Sequence, residues 1–399
     1  MKIAVFNRHF SRRAGGAESY SVALVEGLAN RMQADGSPEF EVHVFAQVLD
    51  HHHPHVTYHK VPGPIERPRW INQWLFATYT WWKTRKGASK GGFDVVHSHE
   101  NTWHGQVQTV HVRPIRFHLF EGRLGTRALL RWLKIITSPR LAFYIWLEAA
   151  RMRHKPNRTV VAVSETMRQQ TLSAYPNCDP QMPVILPGVG APNQSLTQTE
   201  ARTALGLPLG KRLILFVGND YARKGLPALL AAMPALHGNT YAGYKDVTDQ
   251  PHLVVVGSRR QIPKFKAMAA AHGIADRVHF LGALADVSQA YRAVDGLVHP
   301  TLEDSFAMVV LEAMSYGLPV VVSSKKYCGI SAFFNHEEHA LILQNPRDSE
   351  EITTAIARIT MQPSLRQALS SAGLRFAAEH SWDLVVDRYA QIYAAVTRQ

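Results

Sequence analysis

Short, unbroken apolar runs of strand length recur along this chain, with helical patterns between them. They are Ile3–Phe6, Val42–Phe45, Val95–Val96, Val160–Val163, Leu213–Val217, Leu253–Val256, Val278–Leu281, Gly296–His299 and Val320–Ser323. Continuous rather than alternating apolar runs mark strands buried on both faces. Strands that alternate with helices imply right-handed βαβ units and a parallel sheet. After the first run comes Ala14-Gly15-Gly16-Ala17, and Ala17, Tyr20, Leu24 and Leu28 then share one helical face.

The series runs twice. The first set ends near Val163 and the second opens at Leu213. Between them lies Leu186-Pro187-Gly188-Val189-Gly190-Ala191-Pro192-Asn193, the Pro/Gly-rich composition of an interdomain link. At roughly 150 residues per domain, 399 residues suggest two or three, and the doubled series selects two. The expected fold is α/β, with two Rossmann-like, doubly wound parallel-sheet domains facing a cleft. The boundaries fall at 1–187 and 188–381, and 382–399 reads as a further helix. Ligands of such folds bind at the carboxyl ends of the strands.

Charge narrows the partners. Lys and Arg number 44 against 31 Asp and Glu, a net +13, which favours an anionic partner. Cys178 and Cys328 are the only cysteines, which excludes a disulfide scaffold and a Cys-rich zinc module. The start, Met1 to Arg8, turns basic after four apolar residues, short of the roughly 7–15 of a secretory signal. No window reaches the ~18 apolar residues of a spanning helix. A cytoplasmic protein that touches membranes only from its surface is expected.

Two stretches depart from the βα rhythm. Residues 66–90 hold Trp70, Trp74, Trp81 and Trp82 with six Lys/Arg and one Glu. Residues 113–158 hold eleven Lys/Arg, two Glu, Trp132 and Trp146. There Leu129, Leu130, Leu133 and Ile136 recur at helical spacing among Arg127, Arg131 and Lys134. Basic amphipathic helices with aromatics have the composition of interfacial membrane binders. The alternative is a solvated basic face over a Trp-containing core.

Three motifs carry chemistry. Asp304-Ser305-Phe306-Ala307-Met308-Val309-Val310-Leu311-Glu312-Ala313-Met314 follows the Gly296–His299 strand. It sets two carboxylates eight apart around a helix start, whose free N–H groups bind phosphate or sugar hydroxyls. A carboxylate inside an apolar helix, as Glu312 is, needs a partner from the backbone or a ligand. Gly218-Asn219-Asp220-Tyr221-Ala222-Arg223-Lys224-Gly225 places a glycine turn, an arginine and a lysine at a strand end, which suits a diphosphate. Gly15-Gly16 either lets a phosphate approach the backbone or makes a tight βα turn. No GxGxxG opens a helix after a strand, and no Walker-type loop occurs.

Together these motifs resemble the family-4 retaining glycosyltransferases of the GT-B fold. The E-x7-E element corresponds to Asp304…Glu312, followed by Glu312-Ala313-Met314-Ser315-Tyr316-Gly317-Leu318-Pro319-Val320-Val321. The R-K-G element corresponds to Arg223-Lys224-Gly225 after Val217-Gly218, the G-G loop to Gly15-Gly16, and the interdomain element to Leu186-Pro187-Gly188. Val255-Val256-Gly257 and Val278-His279-Phe280-Leu281-Gly282 match two further family strands. The first acid is Asp304, one carbon short, with Glu303 just before it, and either can fill the role. Pro263-Lys264-Phe265-Lys266-Ala267-Met268-Ala269 and Asp286-Val287-Ser288 bring the likeness nearest to the lipopolysaccharide core glucosyltransferase I type, which also has a basic membrane-contacting segment.

The resemblance implies roles. Arg223 and Lys224, with the turn at Gly218, hold the donor diphosphate, and Glu312 binds the ribose. Asp304 or Glu303, with the backbone of Ser305, Phe306 and Ala307, holds sugar hydroxyls. Gly15 and Gly16 close over the phosphates, and His111 is a sugar contact rather than a base. Transfer proceeds on one face with no protein nucleophile. The segment after Trp382 packs back on the first domain, as in relatives. The nucleotide is expected to be UDP, acting as a co-substrate with no resident cofactor.

The chain has no Asp-x-Asp, so Arg and Lys stand in for a metal, and no metal is expected. His51-His52-His53 and His55 lack a Cys or carboxylate cluster beyond Asp50. His97 and His99 are either sugar contacts or satisfied loop histidines. The partners expected are a nucleotide sugar, a membrane-linked saccharide acceptor and the anionic cytoplasmic face of the inner membrane. An exopolysaccharide or lipid-linked acceptor is the nearest rival. A nucleic-acid binder is disfavoured because no RNP, zinc-finger or helix-turn-helix pattern occurs. A non-catalytic membrane scaffold has no use for Arg223-Lys224 or Asp304…Glu312.

Overall fold

The computed structural model describes residues 1–12, 16–63, 67–85, 92–179, 181–193, 195–236, 250–284 and 286–398. The chain divides into two compact units, Met1–Gly188 with Trp382–Gln399, and Val189–Ser381. The strands of the first are β1 (Lys2–Phe6), β2 (His9–Phe10), β3 (Glu41–Ala46), β4 (Val48–Leu49), β5 (Val56–Lys60), β6 (Val95–Ser98), β7 (Val107–Val110) and β8 (Thr159–Ala162). Its helices are α1 (Gly16–Ala29), α2 (Arg69–Thr84), α3 (Ile115–Phe120), α4 (Thr126–Ile136), α5 (Pro139–Met152) and α6 (Glu165–Ala174), with a C-terminal helix over Trp382–Thr397. Six strands pair in parallel in the order β5-β3-β1-β6-β7-β8. Counted in chain order that is 3-2-1-4-5-6, doubly wound and reversing between β1 and β6.

The first apolar run shows why it is unbroken. Ile3 and Val5 face one core with Tyr20, Leu24 and Leu28 of α1 and Val385, Tyr389 and Tyr393 of the C-terminal helix. Ala4 and Phe6 face the other with Phe45, Phe76 and Val96. The four residues Ile3–Phe6 of β1 are fully buried, so neither face tolerates polarity. Gly27 lets the C-terminal helix lie close, since a Cβ there would stand 2.5 Å from Val386 Cγ2. Buried Tyr20 and Tyr389 join hydroxyls at 3.0 Å across the same contact.

The second unit contains β9 (Leu213–Gly218), β10 (His252–Gly257), β11 (Val278–Gly282), β12 (Gly296–His299), β13 (Val320–Ser323) and β14 (Leu341–Leu343). Its helices are α7 (Gln198–Ala204), α8 (Leu226–Ala232), α9 (Ile262–Ala271), α10 (Ser288–Ala293), α11 (Met308–Ser315), α12 (Ser349–Met361) and α13 (Pro363–Ala378). The sheet order β11-β10-β9-β12-β13-β14 is parallel throughout and again reads 3-2-1-4-5-6. Its reversal falls between β9 and β12. Ile214, Phe216, Leu253, Val255, Val298 and Val321 pack one face against Leu226, Leu230, Ile352 and Ile356.

The runs named above mark nine of the twelve sheet strands; β5 and β7 carry none, and β14 is a short run, Leu341–Leu343, not among them. β5 is an edge strand with a half-exposed pattern, and β14 is an edge of three residues. β7 is central, yet its Gln108 and Thr109 are fully buried polar residues held by hydrogen bonds. A buried strand that spends two of four positions on polar partners leaves no apolar run to read.

The basic segment breaks into three helices, α3, α4 and α5. The apolar side chains of α4 stay on the surface: Leu129 is 68% exposed, Leu133 58% and Ile136 74%. Trp74, Trp81 and Trp82 of α2 are also exposed. Residue 66 and residues 86–90 of the other Trp-rich stretch lie outside the described residues. Among the described residues no helix is long and apolar enough to cross a membrane.

Candidate active site

Three loops meet at the carboxyl ends of β9, β12 and β13, where the strand order of the second unit reverses. A reversal splays the loops of neighbouring strands apart and opens a crevice. Here the loops are tied beneath it. Leu302 N–H donates to Arg223 O at 2.9 Å, and Thr301 Oγ1 to Glu303 O at 3.1 Å. Gly225 has a φ of 85°, and a Cβ there would collide with the Pro300 carbonyl. From the β13 side, Asp304 N–H donates to Tyr327 O at 2.8 Å and Gly329 N–H to Asp304 O at 3.0 Å.

Lys224 and Asp304 form an ion pair in this knot, their side chains only 15% and 17% exposed. Gly218 makes room for it, because a Cβ there would lie 2.9 Å from Lys224 Cγ. The other oxygen of Asp304 accepts the N–H groups of Ala307 at 2.9 Å and Phe306 at 3.3 Å. That holds Ala307 in the left-handed region, φ 72°, at the threshold of α11. His299 Nε2 lies 3.2 Å from the oxygen that Lys224 also meets. Lys224 and His299 hold the Asp304 carboxyl well below the usual carboxylate range, against the burial that raises it. Burial pushes His299 down, so the imidazole is neutral.

The expected site residues thus meet, with a change of detail. Two of the three amides assigned to sugar hydroxyls, those of Phe306 and Ala307, donate instead to Asp304. Arg223 is half exposed, 3.6 Å from Asp220, and Glu303 is exposed. Glu312, just over one turn into α11, accepts the Tyr291 hydroxyl at 2.6 Å, and burial raises its carboxyl. Tyr291 stacks on Tyr316 at 5.5 Å.

In the first unit the corresponding ends carry histidines. His97 is fully buried, with Nδ1 2.7 Å from Tyr393 Oη and Nε2 2.7 Å from Thr109 Oγ1. It is therefore a satisfied core histidine. His99 Nδ1 and His111 Nε2 share a hydrogen bond of 2.8 Å, and Tyr20 meets His111 edge-on at 4.9 Å. Burial, helped by Arg151, brings His111 down to about 3. Gly16 opens α1, and a Cβ there would meet nothing within 4 Å, so packing does not demand a glycine. Gly15 lies outside the described residues. His51 Nε2 is taken by Glu26 at 2.7 Å. Among the described residues no three His, Cys, Asp or Glu side chains gather in a metal-binding group.

Sequence reasoning missed His299, Tyr291 and Arg151. A histidine at the end of a buried strand, just before Pro-Thr and the carboxylate, was a readable signal for the first. Tyr291 and Arg151 had none, because both act across the fold.

Comparison with known proteins agrees with this geometry. Residues 14–190 match the family described as Glycosyltransferase Family 4, and residues 197–376 match Glycosyl transferases group 1. The chain is 28% identical over 172 residues to the lipopolysaccharide glucosyltransferase WaaG of Escherichia coli K12, covering 43% of each. That alignment spans less than half of the relative. A crystal structure of WaaG superposes with a TM-score of 0.79 at 19% identity, over 98% of this chain and 99% of that one. Anabaena HepE in complex with UDP-glucose superposes at 0.71 and 16%, over 99% and 100%. The two family matches together take in most of the chain, which is a glycosyltransferase of the GT-B fold. Within that class it is similar to WaaG in part of its sequence and in fold.

Proposed function

We propose that this enzyme moves a hexose from a UDP-glucose-like nucleotide sugar, with retention, to a lipopolysaccharide core or other membrane-linked saccharide. The observation that carries the reading is the Lys224–Asp304 pair beside exposed Arg223 at the β9/β12 reversal. Asp304 and its neighbours fix the lysine before substrate arrives. A cation set in advance stabilises the charge that grows on a leaving diphosphate without reorganising. Arg223 supplies a planar fork for a second phosphate oxygen. Glu312 binds the ribose, and the Glu303–Ala307 loop faces the sugar.

Without a protein nucleophile, retention requires attack on the face from which the leaving group departs. The leaving phosphate takes the acceptor proton as the new glycosidic bond forms. Asp304 is committed to four donors and serves as no nucleophile. Neutral His111 contacts the sugar. The two cations do the work of a metal, so no cofactor is used. The UDP-glucose complex of a structural neighbour supports the donor, and the WaaG relative the acceptor.

The exposed apolar face of α4, flanked by Arg127, Arg131 and Lys134, suits an anionic bilayer, and α2 adds its tryptophans. We place the enzyme on the cytoplasmic face of the inner membrane. A thermal-shift screen with UDP, GDP, ADP and UDP-sugars in EDTA tests the donor. A ligand at 100 times its Kd adds about 2.7 kcal/mol. A UDP-selective shift is expected, and no shift with any nucleotide defeats the reading. Lys224→Ala should abolish transfer while binding to phosphatidylglycerol vesicles persists.

A further inference from the structure

His299 ends β12 with its side chain 1% exposed, too deep to meet either substrate. Its one polar contact, Nε2 to Asp304 Oδ2, reaches the oxygen that pairs with Lys224. A carboxylate only accepts, so Nε2 carries the hydrogen. Nδ1 is then the bare nitrogen, and among the described residues it meets no partner. An imidazolium would leave a second N–H unanswered in a dry site. His299 is thus a neutral donor of fixed polarity, which orients the carboxylate without competing with Lys224 as a cation.

The carboxylate has two tasks that oppose each other. One oxygen must stay on the Phe306 and Ala307 amides, or the strained turn into α11 is lost. The other must stay on Lys224. Rotation about the Cβ–Cγ bond serves one at the expense of the other. A rigid third donor from a buried strand fixes the torsion. The strand is itself locked, since Ser323 Oγ of β13 donates to Thr301 O at 2.8 Å.

We propose that His299 is a positioning residue that, through Asp304, sets the Lys224 ammonium for the donor diphosphate. The inference rests on the diphosphate role proposed above for Lys224. Misplacing a charge-stabilising group by about 1 Å costs on the order of 100-fold.

The test is steady-state transfer with donor and acceptor varied separately, alongside melting temperature. His299→Leu should raise the donor KM and lower donor kcat/KM by about 10- to 100-fold, with the acceptor KM unchanged. His299→Gln, whose amide reproduces the Nε2 donor, should return donor kcat/KM to within about threefold of wild type. A folding defect alone lowers active concentration and moves neither KM. Wild-type donor KM in His299→Leu, or a Gln variant as impaired as the Leu one, overturns the proposal. If His299→Leu does not fold, Asp304→Asn carries the test: it keeps an acceptor for the two amides and turns an amide toward Lys224. A wild-type donor KM there overturns the proposal equally. Lys224→Ala separates the two readings: if it transfers at the wild-type rate, the diphosphate role falls, and this inference with it.

Discussion

The two sheets share one strand order and reverse at the equivalent place, yet the chemistry at their carboxyl ends differs. In the second unit the reversal holds Lys224, Arg223, Asp304 and Glu312, charged groups partly open to solvent. In the first it holds His97, Tyr389 and Tyr393, buried, with His99 and His111 partly open beside them, a neutral stack of rings. Topology supplies a crevice, and the side chains decide what it accepts. A charged end suits a diphosphate. A neutral end, rich in donors and acceptors, suits a hydroxylated sugar and costs little desolvation there.

Acid should separate the two ends most strongly. Burial lowers His97, His104 and His111 to about 3 in the folded protein. The unfolded chain titrates them near 6.5 and so binds more protons below that pH. Their contribution is complete above about 6.5 and is lost as pH falls toward the folded values, by about 1.4 kcal/mol per pH unit for each group. Asp304 is also lowered, but from the ordinary carboxylate value, so it keeps its contribution until the pH falls into that range. All eight tryptophans lie in the first unit, so their fluorescence reports that unit alone. Its urea midpoint should fall steeply from pH 7 to 5. A flat midpoint breaks the contrast.

The next two effects come from one substitution at each end. Lys224→Ala should cost about 100- to 1000-fold in kcat/KM at unchanged stability by far-UV circular dichroism, which reports both units, the scale of losing one preset charge-stabilising donor. Arg151 is the exception in the neutral end: 3% exposed, it donates to Gln108 Oε1 at 3.1 Å, Asn101 Oδ1 at 2.7 Å and the Thr109 carbonyl. Arg151→Met leaves those acceptors bare and should cost about 3 kcal/mol by urea unfolding. A stability loss in the Lys224 variant as large as that of Arg151→Met would erase the distinction between a functional and a structural cation.

What the sequence made legible follows the same division. Buried-on-both-faces strands such as Ile3–Phe6 announce themselves because neither face admits a polar side chain. The charged site was legible because Arg223, Lys224, Asp304 and Glu312 sit in short local motifs. Of the neutral site the sequence singled out His97, His99 and His111 but not their partners. Tyr389 and Tyr393 reach Thr109 and His97 from the far end of the chain, and Gln108 and Arg151 satisfy each other across 43 residues. Such partners share no spacing that a linear reading detects. The engagement of the Phe306 and Ala307 amides was hidden for a related reason: a one-carbon-shorter acid, Asp304, reaches back to accept them.

The smallest effect tests whether the charged end borrows the device of the neutral one. Glu312 is an acid in an apolar helix, and the Tyr291 hydroxyl gives it a buried donor much as Tyr389 serves Thr109. In both cases a tyrosine from a neighbouring helix satisfies a group next to the ligand end of the sheet. Tyr291→Phe removes that donor and keeps the ring stacked on Tyr316. The loss is about 1 kcal/mol, so the UDP affinity should weaken roughly fivefold through a loosely held Glu312. Isothermal titration with UDP and with uridine monophosphate measures it. An equal loss for both ligands assigns the effect to the ribose contact they share. A loss confined to UDP moves it to the diphosphate and puts Glu312 in the charged knot with Lys224.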